Sequence, residues 1–352
     1  MMTSRRQFIK QSGLVGLTVG LGAVSASCTT PSASQANTKT VTSTKLRYNA
    51  DGTFKIVQFT DIHWQKDGPD DKKTASLMAD ILDAEKPDLV VLTGDIIEGS
   101  KMTANEDYTK AFFECTQPIV ERKIPWAAVF GNHDEEGPMN RQDMMKLMQK
   151  IPYCLAQSGP KDIDGVSNYV LSIHDARGKQ AKNTLYFIDS LAYAPKEIEG
   201  YAWISRKQIN WYIQTAQNIE KQNHKKLPAL AFFHIPIQEY NQVFGDSSLG
   251  CKNEDVCCSK INSGFFAAML EARDIMGTFV GHDHVNDYEG TLYGIRLCYG
   301  RATGFSTYGK EGFPRGARVI VLTENQNNFQ SWLRVENGQI INYSDPHKAL
   351  ST

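Results

Sequence analysis

A chain of 352 residues, 41% of them hydrophobic, is long enough for one large domain or two small ones around a substantial core. Its 38 Lys and Arg nearly cancel 39 Asp and Glu, for a formal net charge of −1. The basic excess of a nucleic-acid binder is missing, so no nucleic-acid partner is expected, and small substrates stay open.

In chain order, Ser4-Arg5-Arg6-Gln7-Phe8-Ile9-Lys10 precedes an apolar, glycine-rich run from Leu14 to Ala26, too short and too rich in small residues for a good membrane-spanning helix. The pattern resembles a twin-arginine export signal. Cys28, after Val24-Ser25-Ala26-Ser27, reads as a lipidation site, although Ser25 stands where a large aliphatic residue is usual. Cleavage after Ala26 or Ser27, leaving a soluble protein, is the alternative. Residues 1–28 are thus expected to be a signal peptide, residues 29–44 a solvated tether, and residues 45–345 a single domain. The expected location is periplasmic or lipid-tethered, with membrane contact only through the signal or anchor. Nothing in the sequence sets the oligomeric state.

Within the body, the run Phe54–Thr60 suits a strand, and Leu77, Ile81 and Leu82 at helical spacing predict a helix over 73–85, stopped by Pro87. The continuous apolar runs at 88–93 and 126–130 predict strands covered on both faces, with a helix over 104–120 between them. This alternation implies parallel pairing. Residues 169–173 and 185–189 read as antiparallel strands, and 205–222 as a helix capped by Ser205. Strands at 230–233 and 278–280 follow, and those at 295–299, 318–322 and 331–335 are expected to finish a second sheet. The fold class is therefore α/β, two packed sheets with helices outside.

Five of the eight histidines fall in short clusters behind apolar runs: Asp61-Ile62-His63, Gly131-Asn132-His133-Asp134, Phe233-His234-Ile235-Pro236 and Gly281-His282-Asp283-His284, with Gly94-Asp95 as a cluster without histidine. Carboxylate, imidazole and amide oxygen suit a divalent metal, and Zn, Mn, Fe and Co would all accept this mixed set. Asp61, His63, Asp95, Asn132, His234, His282 and His284 are too many for one ion and nearly right for two, provided that one carboxylate bridges. Two ions roughly 3.5–4 Å apart can clamp both oxygens of a phosphoryl transfer. Asp-x-His and His-x-His would place both ligands on one side of a strand end, with Asp283 pointing away, there to orient a ligand or meet solvent.

These clusters, in this order, resemble the motif series of the calcineurin-like metallophosphoesterases over about residues 53–325. The resemblance implies a four-layer α/β/β/α sandwich of two mixed sheets with a dinuclear site at the sheet edges. It implies Asp61, His63 and His284 as ligands of the first metal, Asp95 as the bridge, and Asn132, His234 and His282 as ligands of the second. The ions would be divalent or mixed-valence, of the Mn/Fe/Zn class. His133 resembles the non-ligand histidine that meets the phosphate or protonates the leaving group, with Asp134 orienting it and Asn132 stabilising charge. The implied reaction is hydrolysis of a small phosphomonoester, or phosphodiester, by a metal-bridging hydroxide. His63 stands where purple acid phosphatases place a tyrosine, so ferric charge-transfer chemistry is not implied. Phe233–Pro236 and the stretch from Gly281 to Arg318 resemble a subgroup of fungal and plant proteins labelled purple-acid-phosphatase-like. A tethered, metal-holding binding protein is the alternative, and an intact His133 argues against it.

The remaining readings are plainer. His174, His224 and His347 are expected at the surface, and Arg301 as a structural arginine rather than a phosphate contact. Trp64, Tyr240, Phe244 and Tyr308 are expected in the core, with walling a pocket as the alternative. Cys251 is near enough in sequence to Cys257 and Cys258 for a bridge, whereas Cys115, Cys154 and Cys298 read as buried thiols.

Overall fold

A computed structural model describes residues 45–342 apart from Asp67 and Asp246. The export signal, the tether, Cys28 and His347 lie outside the described residues.

The first half forms β1 (Thr53–Phe59), α1 (Pro69–Glu85), β2 (Leu89–Thr93), α2 (Asn105–Glu121) and β3 (Trp126–Val129), with β1, β2 and β3 parallel as the alternation predicts. Helix α1 begins a turn before the expected start. The Asp71 carboxylate caps it, accepting the backbone amides of Gln65 at 3.1 Å, Lys66 at 2.9 Å and Gly68 at 3.3 Å. The helix α3 (Arg141–Met148), capped by the Asn140 side chain, is too short for its periodicity to stand out.

Next come β4 (Tyr169–His174) and β5 (Ala181–Phe187), antiparallel with Val170 opposite Tyr186. Helix α4 (Arg206–Asn223) carries the expected cap as a reciprocal box: Ser205 Oγ accepts from Gln208 N, and Gln208 Oε1 accepts from Ser205 N at 2.8 Å. Then follow β6 (Ala229–Phe232), a single turn α5 (Tyr240–Val243), α6 (Phe265–Ala272), β7 (Ile275–Val280), β8 (Glu289–Leu292) and β9 (Ile295–Tyr299). Helix α6 reads Phe-Phe-Ala-Ala-Met-Leu, apolar all round, so no polar stripe marked it as helical.

The chain closes with β10 (Gly316–Thr323), β11 (Phe329–Val335) and β12 (Ile340–Ile341). Here the sequence expectation is corrected. Residues 318–322 and 331–335 do not finish the second sheet; they join the first, whose order is β12-β11-β10-β1-β2-β3. Strand β1 has β2 on one edge only, and a buried strand with an open edge leaves ladder groups unpaired. Strand β10 fills that edge antiparallel, with Ile56 opposite Ile320 and Val57 opposite Val319. The second sheet is β4-β5-β6-β7-β9-β8, and 295–299 does belong to it, parallel to β7.

Two cores make the sandwich. One joins α1, α2 and the first sheet to inward residues of the second, such as Leu185, Phe187, Phe232 and Phe279. The other packs α4 and α6 on the far face of the second sheet through Tyr212, Phe265, Met269 and Leu297. Buried polar groups also cross between the sheets. Arg318 on β10 donates to Tyr299 O at 2.6 Å, Asp287 O at 2.7 Å and Glu289 Oε2 at 2.7 Å. Arg301 is equally buried, paired with Asp287 and stacked 3.4 Å over Phe313, which settles it as structural. Cys257 and Cys258 are thiols, so neither bridge to Cys251 forms.

Candidate metal centre

The parallel strands of both sheets deliver their C-terminal ends to one edge, the usual place for a ligand in a parallel sheet. Asp61 and His63 follow β1, Asp95 follows β2, Asn132 and His133 follow β3, His234 follows β6, and His282 and His284 follow β7. The strand-end logic holds; the period-two geometry does not. Asp61, His63, Asp95 and His282 all sit past their strands at positive φ, 52°, 47°, 47° and 78°. A non-glycine residue held in this region is costly, and four of them here mark a site where geometry overrides local preference. The backbone has to crowd: Gly94, at φ 88°, has His234 Nδ1 only 2.5 Å from where a Cβ would be.

All seven expected ligands are buried. Six of them fall into two groups whose ligand atoms lie within 4.8 Å of one another: Asp61, His63, Asp95 and His284, and Asp95, His234 and His282. Asp95 is common to both, its Oδ2 3.0 Å from His234 Nε2 and 3.6 Å from His63 Nε2. Asn132 presents a buried Oδ1 with no hydrogen-bond partner, and Asp95 Oδ2 is another such orphan.

Three imidazoles are turned by groups behind them. His234 Nδ1 is 2.8 Å from Thr93 O, His63 Nδ1 is 2.8 Å from Glu98 Oε2, and His284 Nδ1 is 3.0 Å from Thr307 Oγ1. A carbonyl or carboxylate only accepts, so Nδ1 carries the proton in His234 and His63, and each Nε2 faces inward. Inside, His63 Nε2 meets His284 Nε2 at 3.3 Å, and His234 Nε2 meets His282 Nδ1 at 3.3 Å. Ring nitrogens that face each other this closely beside carboxylates need a proton or a metal between them. The donor set therefore fits two divalent ions.

The electrostatics give the protonated version of that need. Burial alone would lower His234, but Asp95 and Asp61 overcome it and bring it up to about 9. Burial would raise Asp61, yet His284 and His234 hold it at about 2; Asp95 is held well below the carboxylate range by His234 and His63 against the same burial. Burial and the neighbouring His234 push His282 down to about 3. The sign follows. His234's folded value lies above its unfolded one of about 6.5, so its stabilisation of the metal-free protein is full below that pH and is lost as pH rises through about 9. A metal must displace that proton, so affinity should rise about tenfold per pH unit towards 9. The rise in melting temperature on adding Mn²⁺ should therefore be larger at pH 8.5 than at pH 6.5, and an equal or smaller rise would contradict this.

Three expectations are corrected. Asp134 does not orient His133. It is fully buried and clamps two loops, accepting Ile96 N and Ile97 N at 2.9 Å and Gly131 N at 2.7 Å, with burial pushing it up to about 6. The carboxylate on His133 Nδ1 belongs to Glu136, at 2.8 Å. His133 belongs to neither of the two ligand groups above, and its ring lies 5.0 Å from that of His63. Tyr308 is not a core residue either: it is 53% exposed and stacks on His284 at 4.1 Å, walling the site, whereas Trp64 and Tyr240 are buried as expected. Asp283 points away into a buried niche, accepting from Tyr299 OH at 2.5 Å and Cys257 N at 3.2 Å, so it anchors a loop and orients no ligand. Glu98 and Glu136 stand three residues after Asp95 and His133, a spacing that could have exposed them; Tyr193 and Thr307 carry no such signal.

Comparison with known proteins agrees with this geometry. Residues 54–286 match the model of the calcineurin-like phosphoesterase family. The chain is 36% identical over 319 residues to probable inactive purple acid phosphatase 29 of Arabidopsis thaliana, covering 82% of this chain and 81% of that one. It is 34% identical over 324 residues to phosphatase DCR2 of Saccharomyces cerevisiae, covering 83% of this chain and 55% of that longer one. Among solved structures, a dimetal phosphatase from Danio rerio has the same fold, with a TM-score of 0.52 at 14% identity over 83% of this chain and 99% of its own. A family match that takes in β1 to the Gly281–His284 cluster, every ligand cluster included, identifies the chain as a member of the calcineurin-like phosphoesterase family.

Proposed function

We propose that this chain hydrolyses small phosphoesters at a dinuclear metal centre, phosphomonoesters first and phosphodiesters second. One observation carries the reading: two buried ligand groups share Asp95, and His133 stands beside them outside both. When bound, two divalent ions would supply Lewis acidity towards the phosphoryl oxygens and would acidify water. The chain's own residues do the rest. Asp95 would hold the two ions together, and the imidazoles behind which Thr93, Glu98 and Thr307 stand would keep a fixed orientation through turnover. His133, with its Nδ1–H held by Glu136, would carry a second proton on Nε2 as the imidazolium and pass that one to the departing oxygen.

A second reading, a metal-holding binding protein without turnover, is favoured by the word "inactive" in the names of Arabidopsis relatives. The retained His133 and full ligand set favour the enzyme. The purified protein, loaded with Mn, Fe or Zn, should cleave aryl phosphate mono- or diesters. No turnover on either class at full metal occupancy would leave the binding reading standing and sink the hydrolase.

A further inference from the structure

Between His133 and Asn132 runs a hydrogen-bonded path that leaves the protein backbone and returns to it. His133 Nδ1 lies 2.8 Å from Glu136 Oε2; the other oxygen of Glu136 accepts from the Tyr193 hydroxyl; and the Tyr193 oxygen accepts from Asn132 Nδ2 at 3.2 Å. At the far end, Asn132 Oδ1 is buried without a partner.

The carboxylate sets the polarity of this path. Glu136 can only accept, so Tyr193 spends its single proton on it and presents a lone pair to Asn132. A lone pair takes the amide N–H, which turns Asn132 Oδ1 the other way. The two ends of a carboxamide have nearly the same shape, so a partner of fixed polarity is what decides which end faces a cation. The same carboxylate accepts a hydrogen bond from His133 Nδ1–H and leaves Nε2 for proton transfer.

The loop that carries Tyr193 is built to hold it. After β5, buried Asp189 pairs with Arg141 and accepts Leu191 N at 3.0 Å, while Leu191 turns at φ 64°. The chain then doubles back, Ala194 N to Gly200 O at 2.9 Å and Ala202 N to Ala192 O at 3.0 Å. This puts Tyr193 across from Tyr201, whose ring meets His282 edge-on at 4.4 Å. One loop thus touches both Asn132 and His282.

We propose that Glu136 and Tyr193 are positioning residues: together they orient His133 towards the leaving group and lock the Asn132 amide with its oxygen towards the metals. The His133 half rests on the phosphoesterase reading; the Asn132 half needs only metal binding.

The test compares wild type with Tyr193→Phe and Glu136→Gln, each shown to melt within a few degrees of wild type. Metal-free protein is titrated calorimetrically with Mn²⁺. Tyr193→Phe should weaken one of two sites by about tenfold and leave the other alone. Turnover is then measured on an alkyl phosphate, a poor leaving group, and on p-nitrophenyl phosphate, a good one. Glu136→Gln should cut kcat on the alkyl ester about 100-fold, with KM little changed, and cost the nitrophenyl ester about threefold or less. Two sites of wild-type affinity in Tyr193→Phe overturn the Asn132 half. An active wild type whose Glu136→Gln variant loses both esters equally, or neither, overturns the His133 half. A wild type inactive on both esters refutes the phosphoesterase reading and the His133 half with it, while the titration still decides the Asn132 half.

Discussion

Asp95→Asn is expected to lower phosphoester turnover by at least about 1,000-fold, equivalent to about 4 kcal/mol of lost transition-state stabilisation, with the fold retained. The substitution keeps the volume of the side chain and removes its charge. Asp95 Oδ2 faces both groups of ligands, at 3.0 Å from His234 Nε2 and 3.6 Å from His63 Nε2. An amide there either turns an N–H towards two cations or offers a neutral oxygen in place of a carboxylate. Both weaken the pair of ions together, and a single-ion site cannot clamp the attacking and leaving oxygens at once. The other oxygen, which accepts His133 N at 2.8 Å, has an amide equivalent, so the loop after β3 should keep its course. Steady-state kinetics at saturating Mn²⁺, with circular dichroism as the check on folding, would measure this. Turnover within tenfold of wild type would show that Asp95 does not bridge.

Arg318→Met should destabilise the protein by about 3–5 kcal/mol, because it strands partners of a buried charge. Arg318 is 2% exposed and reaches from the first sheet into the second, satisfying Tyr299 O, Asp287 O and Glu289 Oε2, and it also donates to Ser331 Oγ at 2.9 Å. Methionine fills much of the space and makes none of these bonds. Glu289 retains Arg296, but the two carbonyls lose a charged donor in a place where water does not replace it. Urea unfolding of the metal-free protein would read the loss directly. A change below about 1 kcal/mol would mean that packing alone joins the sheets.

What the sequence made legible follows from what metal chemistry demands. Ligand types are restricted and parallel strands present their ends at one edge, so Asp61, His63, Asp95, His234, His282 and His284, which the fold brings within reach of one another, stand out in the sequence as candidates, with the buried Asn132 beside them. The local geometry was not legible. Alternation along a strand was the expected reason for Asp-x-His to share a side, whereas the chain leaves β1 and turns through positive φ at both residues. The role of Asp134 differs from the one that the resemblance implies: in the tight turn at His133–Glu135 its side chain points into the protein, and the residue three positions on from His133 is the one that meets the imidazole. The placement of β10 beside β1 depends on pairing across more than two hundred residues, which no local pattern encodes. Tyr193 and Tyr308 reach the site from loops that have no periodicity to read.

On the proposed function, two ions share Asp95 and turnover needs both. Metal-free protein should be titrated with Mn²⁺ while bound metal per chain and p-nitrophenyl phosphate hydrolysis are followed on the same samples. Binding should saturate at two ions per chain, with turnover rising only as the second is taken up. Saturation at one ion, or two bound ions with no hydrolysis of any phosphoester, would contradict it.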